Sequence, residues 1–227
     1  MGSLGGSGAA GADTVWLFDL DDTLHHASGG SFAAIGAAMN EYIVRELGVD
    51  AEQAQALRRR YWRLYGATLL GLIRHHQIPA SQFLDEVHAL PALESMLRGA
   101  RADLAWLRRL PGRRILLTNA PERYARRVLK ALGISMLFER VIGVEHMRMF
   151  GHYRPKPDLR MLRHVCAQLR VAPSRCTLVE DSLANLRSAR ALGMRTVWMR
   201  GWMDEPGRHR PACVDRRVDR LHRLPPR

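Results

Sequence analysis

The sequence is poor in lysine, asparagine and cysteine, and it has no long hydrophobic run. Lysine provides only two of the 35 basic residues, Lys130 and Lys156. No apolar stretch approaches the roughly 20 residues that a membrane-spanning helix needs. The three cysteines form no CxxC pair and no even set, which argues against a disulfide framework and is typical of free thiols in a reducing compartment. We therefore expect a cytoplasmic protein that makes no membrane contact.

The two ends of the chain differ in composition from its middle. The first 13 residues, MGSLGGSGAAGAD, have neither the basic start nor the apolar core of a signal peptide. We expect residues 1–13 to form a flexible leader. Residues 204–227 are rich in arginine and proline and show little periodicity, so we expect a basic, poorly structured tail. The 227 residues suffice for one domain with an insertion.

The net charge of +13 is concentrated in one part of the chain. Residues 111–203 carry 18 lysines and arginines against 6 acids, a net charge of +12. Such a segment suits an anionic ligand, which is a phosphorylated small molecule, a nucleic acid or a membrane surface. A solvated, arginine-rich surface is the alternative. Nucleic-acid binding is the weaker hypothesis, because arginines and aromatic residues do not alternate and no known nucleic-acid module is recognisable.

The pattern of apolar residues predicts an α/β protein. Residues 15–19, VWLFD, read as a buried strand, and residues 25–110 contain only helical periodicity. From residue 111 strands and helices alternate, which indicates a parallel sheet between helices. We predict a Rossmann-like three-layer core with a central parallel sheet, formed by residues 14–24 and 111–203. A helical cap, residues 25–110, is inserted after the first strand.

Polar residues follow three of the predicted strands directly. Ligands of open α/β sheets bind beyond the carboxyl ends of the strands. Asp19 with Asp21, Thr118 with Asn119, and Glu180 with Asp181 all occupy such ends. One polar strand end would mean little, but three of them predict a common site.

Asp19 and Asp21 have the spacing of two cooperating carboxylates. Because they are two residues apart on an extended chain, their side chains point to the same side of it and lie roughly 6.5 Å from each other. One can attack a phosphoryl group as nucleophile, and the other can protonate the leaving oxygen and then activate water. An Asx turn or a helix cap is the alternative, and for Asp22 we prefer it.

The other two strand ends suit a metal ion and a phosphate. Glu180 and Asp181 provide the oxygen ligands that Mg²⁺ prefers, although Asp181 can also cap the helix that follows. Thr118 and Asn119 suit phosphate oxygens, or else ordinary turn chemistry. Lys156 lies between two prolines in RPKPD, where its charge can stabilise a transferring phosphoryl group.

These motifs resemble those of the haloacid dehalogenase-like hydrolase superfamily. DLDDT, TN, RPKPD and VEDS occur in the order typical of that superfamily. The resemblance implies a Mg²⁺-dependent phosphomonoester hydrolase with an aspartyl-phosphate intermediate. It implies that Asp19 is the nucleophile, that Asp21 is the general acid and base, and that Thr118 and Asn119 bind the phosphate. It also implies that Lys156 is the stabilising cation and that the Mg²⁺ ligands are Asp19, the Asp21 carbonyl and Asp181. The family often has a second acid four residues after Asp181, whereas this chain has Asn185, which offers other ligands a hydrogen bond in place of a carboxylate.

A finer resemblance concerns the substrate. FDLDDTLHHASGG, HYRPKPD and LVEDSLANLRSARALGM are similar to the pyrimidine 5′-nucleotidase branch, which implies hydrolysis of nucleoside monophosphates such as UMP or CMP. The alternative is another small phosphate ester, such as a sugar phosphate or phosphoglycolate. A haloacid dehalogenase is disfavoured because carbon–halogen displacement needs no acid at Asp21. A phosphonate-cleaving relative would need a cap lysine, and residues 25–110 contain none.

Histidines and tyrosines are the candidates for contacting the rest of the substrate. His25 and His26 follow the catalytic strand, and we predict that they bind substrate. Tyr61 and Tyr65 are spaced for packing within one helix, which is the preferred interpretation, although either ring can stack on a base. The sequence leaves the oligomeric state open.

Overall fold

The computed structural model describes residues 14–202 and 210–224. The contacts divide the chain into two compact units. One, the sheet unit, contains the chain up to His26 and from Arg98 onward. The other, the helical unit, is Ala27–Leu97. The leader predicted for residues 1–13 lies outside the described residues.

The helical unit consists of five helices, counted over its described residues. They are α1 Ser31–Leu47, α2 Ala51–Tyr65, α3 Thr68–His76, α4 Ala80–Val87 and the short α5 Leu93–Met96. Asp50 caps the start of α2 with a capping box. Its side chain accepts a hydrogen bond from the Gln53 N–H, and the Gln53 side chain accepts one from the Asp50 N–H. Gly48 and Gly66 end α1 and α2 in the left-handed conformation that favours glycine.

The sheet unit contains a six-stranded parallel sheet within the described residues. Its strands are β1 Val15–Phe18, β2 Arg113–Leu117, β3 Arg140–Ile142, β6 Cys176–Glu180, β7 Arg195–Met199 and β8 Arg216–Val218, in the order β3-β2-β1-β6-β7-β8. A separate antiparallel hairpin is formed by β4 Arg148–Met149 and β5 His152–Tyr153. All four residues of β1 are buried, because β1 is central and both faces of the sheet are covered there.

Four helices flank this sheet in the described part of the unit: α6 Arg101–Arg109, α7 Glu122–Ala131, α8 Leu159–Gln168 and α9 Leu183–Ala191. On one face, Val15 and Leu17 of β1 pack in a core with apolar residues of α8 and α9. On the other face, the Trp16 ring meets the Trp106 ring of α6 edge to face at 6.4 Å. The contacts place α6 with the sheet, whereas the sequence predicted an insertion that runs to residue 110.

The C-terminal segment is more ordered than the sequence predicted. Residues 210–224 include β8, which extends the sheet beside β7. The Trp106 indole donates to the carbonyl of Leu224 at 2.9 Å, and the Asp103 carboxylate accepts from the backbone N–H of His222 at 3.0 Å. The expectation of a poorly structured tail was therefore wrong for these residues. A three-residue edge strand that starts with two arginines is too short to produce a recognisable apolar pattern.

The predicted fold class is confirmed: a parallel sheet lies between helices, and a helical segment interrupts the chain after β1. A search of the described helices finds none whose length and apolar character would allow it to cross a bilayer.

Candidate active site

The polar strand ends predicted from the sequence meet at one edge of the sheet. Val15 is in register with Arg113 on one side and with Cys176 on the other, so β1, β2 and β6 end side by side. The Asp19 N–H donates to the Val179 carbonyl at 3.0 Å and continues the ladder past the end of β1. Asp19 is therefore a neighbour of the residues that end β2 and β6.

Lys156 connects two of these carboxylates. Its Nζ donates to Asp19 Oδ1 at 2.6 Å and to Glu180 Oε2 at 2.7 Å. The lysine is only 2% exposed, so these are buried ion pairs. A buried cation is tolerated when carboxylates and hydrogen bonds compensate for its lost hydration.

Asn119 holds the backbone of this lysine in place. Its side-chain Nδ2 donates to the Lys156 carbonyl at 2.9 Å, and its Oδ1 accepts from the Lys156 N–H at 2.9 Å. The sequence predicted Asn119 as a phosphate ligand, but this geometry engages both ends of its amide with the loop. The Thr118 hydroxyl accepts from the Ala120 N–H at 3.0 Å and keeps its own proton available for a further acceptor.

Burial and like charge make the acid cluster unfavourable without additional positive charge. Burial, reinforced by the Glu180 carboxylate, raises the pKa of Asp19 to about 7. Burial, with contributions from Asp19 and Glu180, raises the pKa of Asp181 to about 9. Burial lowers the pKa of Lys156, but the attraction of Asp19 and Glu180 outweighs it and the net shift is upward.

The same acids fit a divalent cation. Ligand oxygens of Asp19, Glu180 and Asp181 lie within 4.8 Å of one another. Three carboxylates against one ammonium leave the ionised cluster with a charge of −2, which a divalent ion would offset. All three donors are hard oxygens, the type that Mg²⁺ binds. The side chain of Asn185 is buried and makes no hydrogen bond within the described part of the chain.

Asp21 is held by two side chains. His25 Nε2 lies 3.0 Å from Asp21 Oδ1, and the Tyr124 hydroxyl donates to the same oxygen at 3.0 Å. His25 is completely buried, and its Nδ1 has no hydrogen-bond partner among the described residues. Because both contacts use Oδ1, the second carboxylate oxygen of Asp21 is not engaged by either residue.

Sequence reasoning missed Tyr124. Tyr124 lies on α7, which begins soon after β2, and its ring is 1% exposed. A tyrosine two positions into an amphipathic helix gives no sequence signal of its own. The helix follows a polar strand end directly, and that position alone marks Tyr124 as a candidate site residue.

His26 is placed differently from His25. Its ring stacks on Trp202, with centroids 4.8 Å apart and planes 10° apart. The two histidines that were predicted together as substrate ligands therefore have different neighbours: His25 contacts Asp21, and His26 contacts an aromatic ring.

Within the helical unit, α2 and α3 pair two tyrosines with two histidines. The Tyr61 hydroxyl lies 2.6 Å from His76 Nε2, and the Tyr65 hydroxyl lies 2.7 Å from His75 Nε2. Tyr61 is 4% exposed, so the predicted packing role describes it well. His75 is exposed on the surface of the helical unit.

Comparison with known proteins identifies a hydrolase family and several phosphatases. A family model described as haloacid dehalogenase-like hydrolase matches residues 15–193. Phosphate metabolism protein 8 of Saccharomyces cerevisiae is 27% identical over 82% of this chain and 61% of its own length. The phosphoglycolate phosphatase of Pseudomonas putida is 29% identical over 80% and 67%, and the N-acetylmuramic acid 6-phosphate phosphatase of Pseudomonas aeruginosa 26% identical over 76% and 62%. The chain thus spans about two thirds or less of the length of these relatives.

Solved structures agree on the fold. A HAD phosphatase from Thermococcus onnurineus superposes with a TM-score of 0.63 at 19% identity and covers 92% of this chain and 94% of its own. The HAD-hydrolase YfnB from Bacillus subtilis, solved with magnesium bound, has a TM-score of 0.58 at 16% identity and covers 92% and 95%. At such identities the likeness concerns the fold alone.

Proposed function

Since this chain belongs to the haloacid dehalogenase-like hydrolase family, we propose that it is a Mg²⁺-dependent phosphomonoester hydrolase that acts through an aspartyl-phosphate intermediate. The observation that carries the proposal is the cluster of Asp19, Glu180 and Asp181, with Lys156 between two of the three carboxylates.

Asp19 is the nucleophile in this proposal. A carboxylate oxygen of Asp19 forms a bond to phosphorus while the bond from phosphorus to the leaving oxygen breaks. Lys156 contacts the same carboxylate at 2.6 Å, so its charge orients Asp19 and lies beside the phosphoryl oxygens as they gain negative charge. Asn119 acts indirectly, because it fixes the backbone from which the Lys156 side chain extends.

Asp21 is the general acid and base. It gives a proton to the leaving oxygen in the first step and takes one from water in the second. His25 and Tyr124 both contact Oδ1, which orients the carboxyl group and leaves the other oxygen for proton transfer. We therefore assign His25 a positioning role on Asp21 and no substrate contact.

The metal site is proposed at the same acids. Asp19, Asp181 and the Asp21 backbone carbonyl are the ligands that the family resemblance implies, and Glu180 lies in the same cluster. When bound, Mg²⁺ supplies the positive charge that allows a phosphate dianion to approach this acidic edge. Without it, burial and the mutual repulsion of the acids favour their protonated forms, as the raised pKa of Asp181 indicates.

We propose a small phosphate ester as the substrate. The relatives whose names include a substrate are phosphatases of phosphoglycolate and of a phosphorylated amino sugar, and none of those reported above is named for a nucleotide. These names support the alternative derived from the sequence better than the pyrimidine nucleotidase hypothesis. The helical unit is the part that we expect to select the leaving group.

A substrate panel tests the reaction and its specificity together. Purified protein is assayed for phosphate release from phosphoglycolate, sugar phosphates, UMP, CMP and AMP, with Mg²⁺ or with excess chelator. We expect release only with Mg²⁺, and a higher kcat/KM for the small esters than for the nucleotides. A preference for UMP or CMP would restore the nucleotidase hypothesis and leave the mechanism intact. Chloride release from a haloacid without Mg²⁺ would refute the phosphatase proposal.

Two aspartates three residues apart provide a matched pair of variants. Asp19→Asn should abolish turnover because an amide cannot attack phosphorus. Asp22→Asn removes the same charge from a turn residue with φ of 56°, a conformation that asparagine accepts readily, and it should retain turnover. Both proteins are checked for folding by thermal melting. Turnover in a folded Asp19→Asn protein would refute the proposed nucleophile.

The positioning role of Tyr124 is tested through the leaving group. Tyr124→Phe removes one of the two contacts to Asp21. We expect kcat/KM, which reports on the first phosphoryl transfer and not on the later attack of water, to fall about tenfold or more for an alkyl phosphate, whose leaving oxygen needs a proton, since general acid catalysis contributes about 10²–10⁴-fold. For p-nitrophenyl phosphate, whose leaving group needs none, the loss should be small. Tyr153→Phe, whose hydroxyl has no partner among the described residues, is the control. An equal loss with both substrates would contradict the assignment.

A further inference from the structure

A cavity lies at the end of the sheet away from the candidate active site. It has a volume of about 340 Å³, within the size range of small-ligand sites. Its lining includes Trp16 of β1, Thr177 of β6 and Arg195 of β7, residues at or near the amino ends of their strands. Asp19 follows the carboxyl end of β1, three residues after Trp16, so the two places are about 10 Å apart along the strand. The cavity is therefore separate from the acid cluster.

The charged side chains around this cavity are mostly positive. Arg190, Arg195 and Arg216 line it, with Asp215 as the one acid in the described lining. Arg190 pairs with Asp215 at 2.8 Å, so these two charges compensate each other. Arg195 and Arg216 have no ion pair or side-chain hydrogen bond within the described ranges. Both arginines are exposed, so two hydrated guanidinium groups without a counter-charge among the described residues line the same cavity.

Thr177 presents a hydroxyl at the same cavity. Thr177 is only 5% exposed, and its side chain makes no hydrogen bond within the part of the chain that the structure describes. Its hydroxyl oxygen is not among the described polar atoms that are sealed from solvent without a partner, so it is open to water or to a bound anion. A hydroxyl has one proton to donate and two lone pairs. Beside two guanidinium groups, it completes a set of donors for an anion.

Apolar side chains form the remaining wall. Val197 and Leu224 line the cavity together with the indole of Trp16, and all three are at most 5% exposed. An anion held by the arginines would place any organic substituent against this wall. The site is thus suited to an anion that carries a small apolar part as well as to the bare anion.

We propose that this cavity is a second anion-binding site, which takes a phosphate dianion in the form of free phosphate or a small phosphate monoester. Arg195 and Arg216 carry two positive charges against the two negative charges of the dianion, and their planar forks match phosphate oxygens. Thr177 donates its hydroxyl proton to a further oxygen of the phosphate. The proposal does not depend on the reaction proposed above, because none of the lining residues belongs to the acid cluster.

Site-resolved titration with inorganic phosphate tests the proposal. The full chain is labelled with ¹⁵N and titrated at constant ionic strength, with chloride replaced by phosphate. The indole N–H of Trp16 and the amide of Thr177 report on the cavity, separately from the signals of the residues around Asp19. We expect both reporters to shift and saturate. A linear shift that never saturates would overturn the proposal.

Variants separate a specific site from general positive charge. Arg195→Ser combined with Arg216→Ser should weaken binding at the cavity at least tenfold. The control, Arg59→Ser combined with Arg163→Ser, removes the same charge from exposed helix positions and should bind within twofold of wild type. Equal losses in both double variants would show that only net charge matters, which overturns the site.

Thr177→Val gives a second test that leaves the charge unchanged. Valine has nearly the same shape and suits a strand, so the fold should persist. We expect severalfold weaker binding, and unchanged affinity would remove the hydroxyl from the proposal. A titration with a non-hydrolysable organic phosphonate then identifies the source of the anion. Tighter binding than inorganic phosphate assigns the cavity to phosphate esters, and weaker binding assigns it to free phosphate.

Discussion

Replacing Lys156 by methionine tests the electrostatic design of the candidate active site. The substitution keeps an unbranched side chain of similar length and removes the ammonium group. In the native protein that group contacts Asp19 at 2.6 Å and Glu180 at 2.7 Å, and the lysine is 2% exposed. The variant therefore leaves two buried carboxylates facing an apolar group.

The expected loss of stability follows from burial. Removing one partner of a buried ion pair costs about 3–5 kcal/mol, whereas exposed pairs contribute about 0–1 kcal/mol. The pKa of Asp19 is already raised to about 7, so this carboxylate can take up a proton and relieve part of the repulsion. We therefore expect a loss near the lower limit, about 3 kcal/mol. In a chain of this size that corresponds to a fall in Tm of about 6–12 °C.

Thermal unfolding in excess chelator measures this loss, and Lys130→Met is the matched control. Lys130 is the other lysine of the chain and is exposed on α7, so its replacement should change the free energy of unfolding by less than about 0.5 kcal/mol. Mg²⁺ should raise the Tm of Lys156→Met by more than that of the wild type, because the variant site has one more uncompensated negative charge. Equal Tm values for the two variants, with equal responses to Mg²⁺, would refute the reasoning.

Three further substitutions probe the fold and the supporting contacts. Asn119→Ala removes both bonds to the Lys156 backbone, so kcat should fall while Mg²⁺ still stabilises the protein; unchanged kcat would contradict the proposed support. Gly71→Ala places a methyl group on the Tyr61 ring and should cost about 1–3 kcal/mol in urea unfolding, with Gly36→Ala, which meets only a flexible arginine end, as the milder comparison. Trp106→Phe removes the bond to the C-terminal segment and should increase amide hydrogen exchange at residues 221–224 before the sheet is affected; unchanged exchange there would argue against it.

The sequence predicted most of the sheet unit because its signals are local. Each central strand is a short apolar run between turn residues, and each following helix has an apolar stripe with a period of 3.6 residues. Within residues 25–110 the helical periodicity did not fix where single helices end; Gly66, with φ of 76°, ends α2, and α3 begins at Thr68. Strand β8 and the ordered C-terminal segment were missed because they are held by distant partners, such as Trp106, that no local pattern reveals.

The site was predictable as a set of motifs but not as a set of contacts. The rarity of lysine in this chain and the two flanking prolines marked Lys156 as a functional candidate. Its contact with Glu180 and its support by Asn119 could not be predicted, because both depend on which side chains the folded loop brings together. His25 was predicted to bind substrate, yet its imidazole contacts Asp21. Sequence distance along a turn does not determine the direction in which a side chain points.

In the structure, part of the positive charge of residues 111–203 lies at the amino end of the sheet. Four strands of the six-stranded sheet begin with arginine, at Arg113, Arg140, Arg195 and Arg216, whereas the acid cluster lies at the opposite, carboxyl end of that sheet. The two edges are about 10 Å or more apart. Since exposed charges are screened over about 8–10 Å at physiological ionic strength, these arginines contribute little attraction for a phosphate at the acid cluster. There the compensating charge comes from Lys156 and a divalent ion. The anion site proposed above uses Arg195 and Arg216 at the amino edge, so a measurement of phosphate binding is interpretable only when it resolves the two edges.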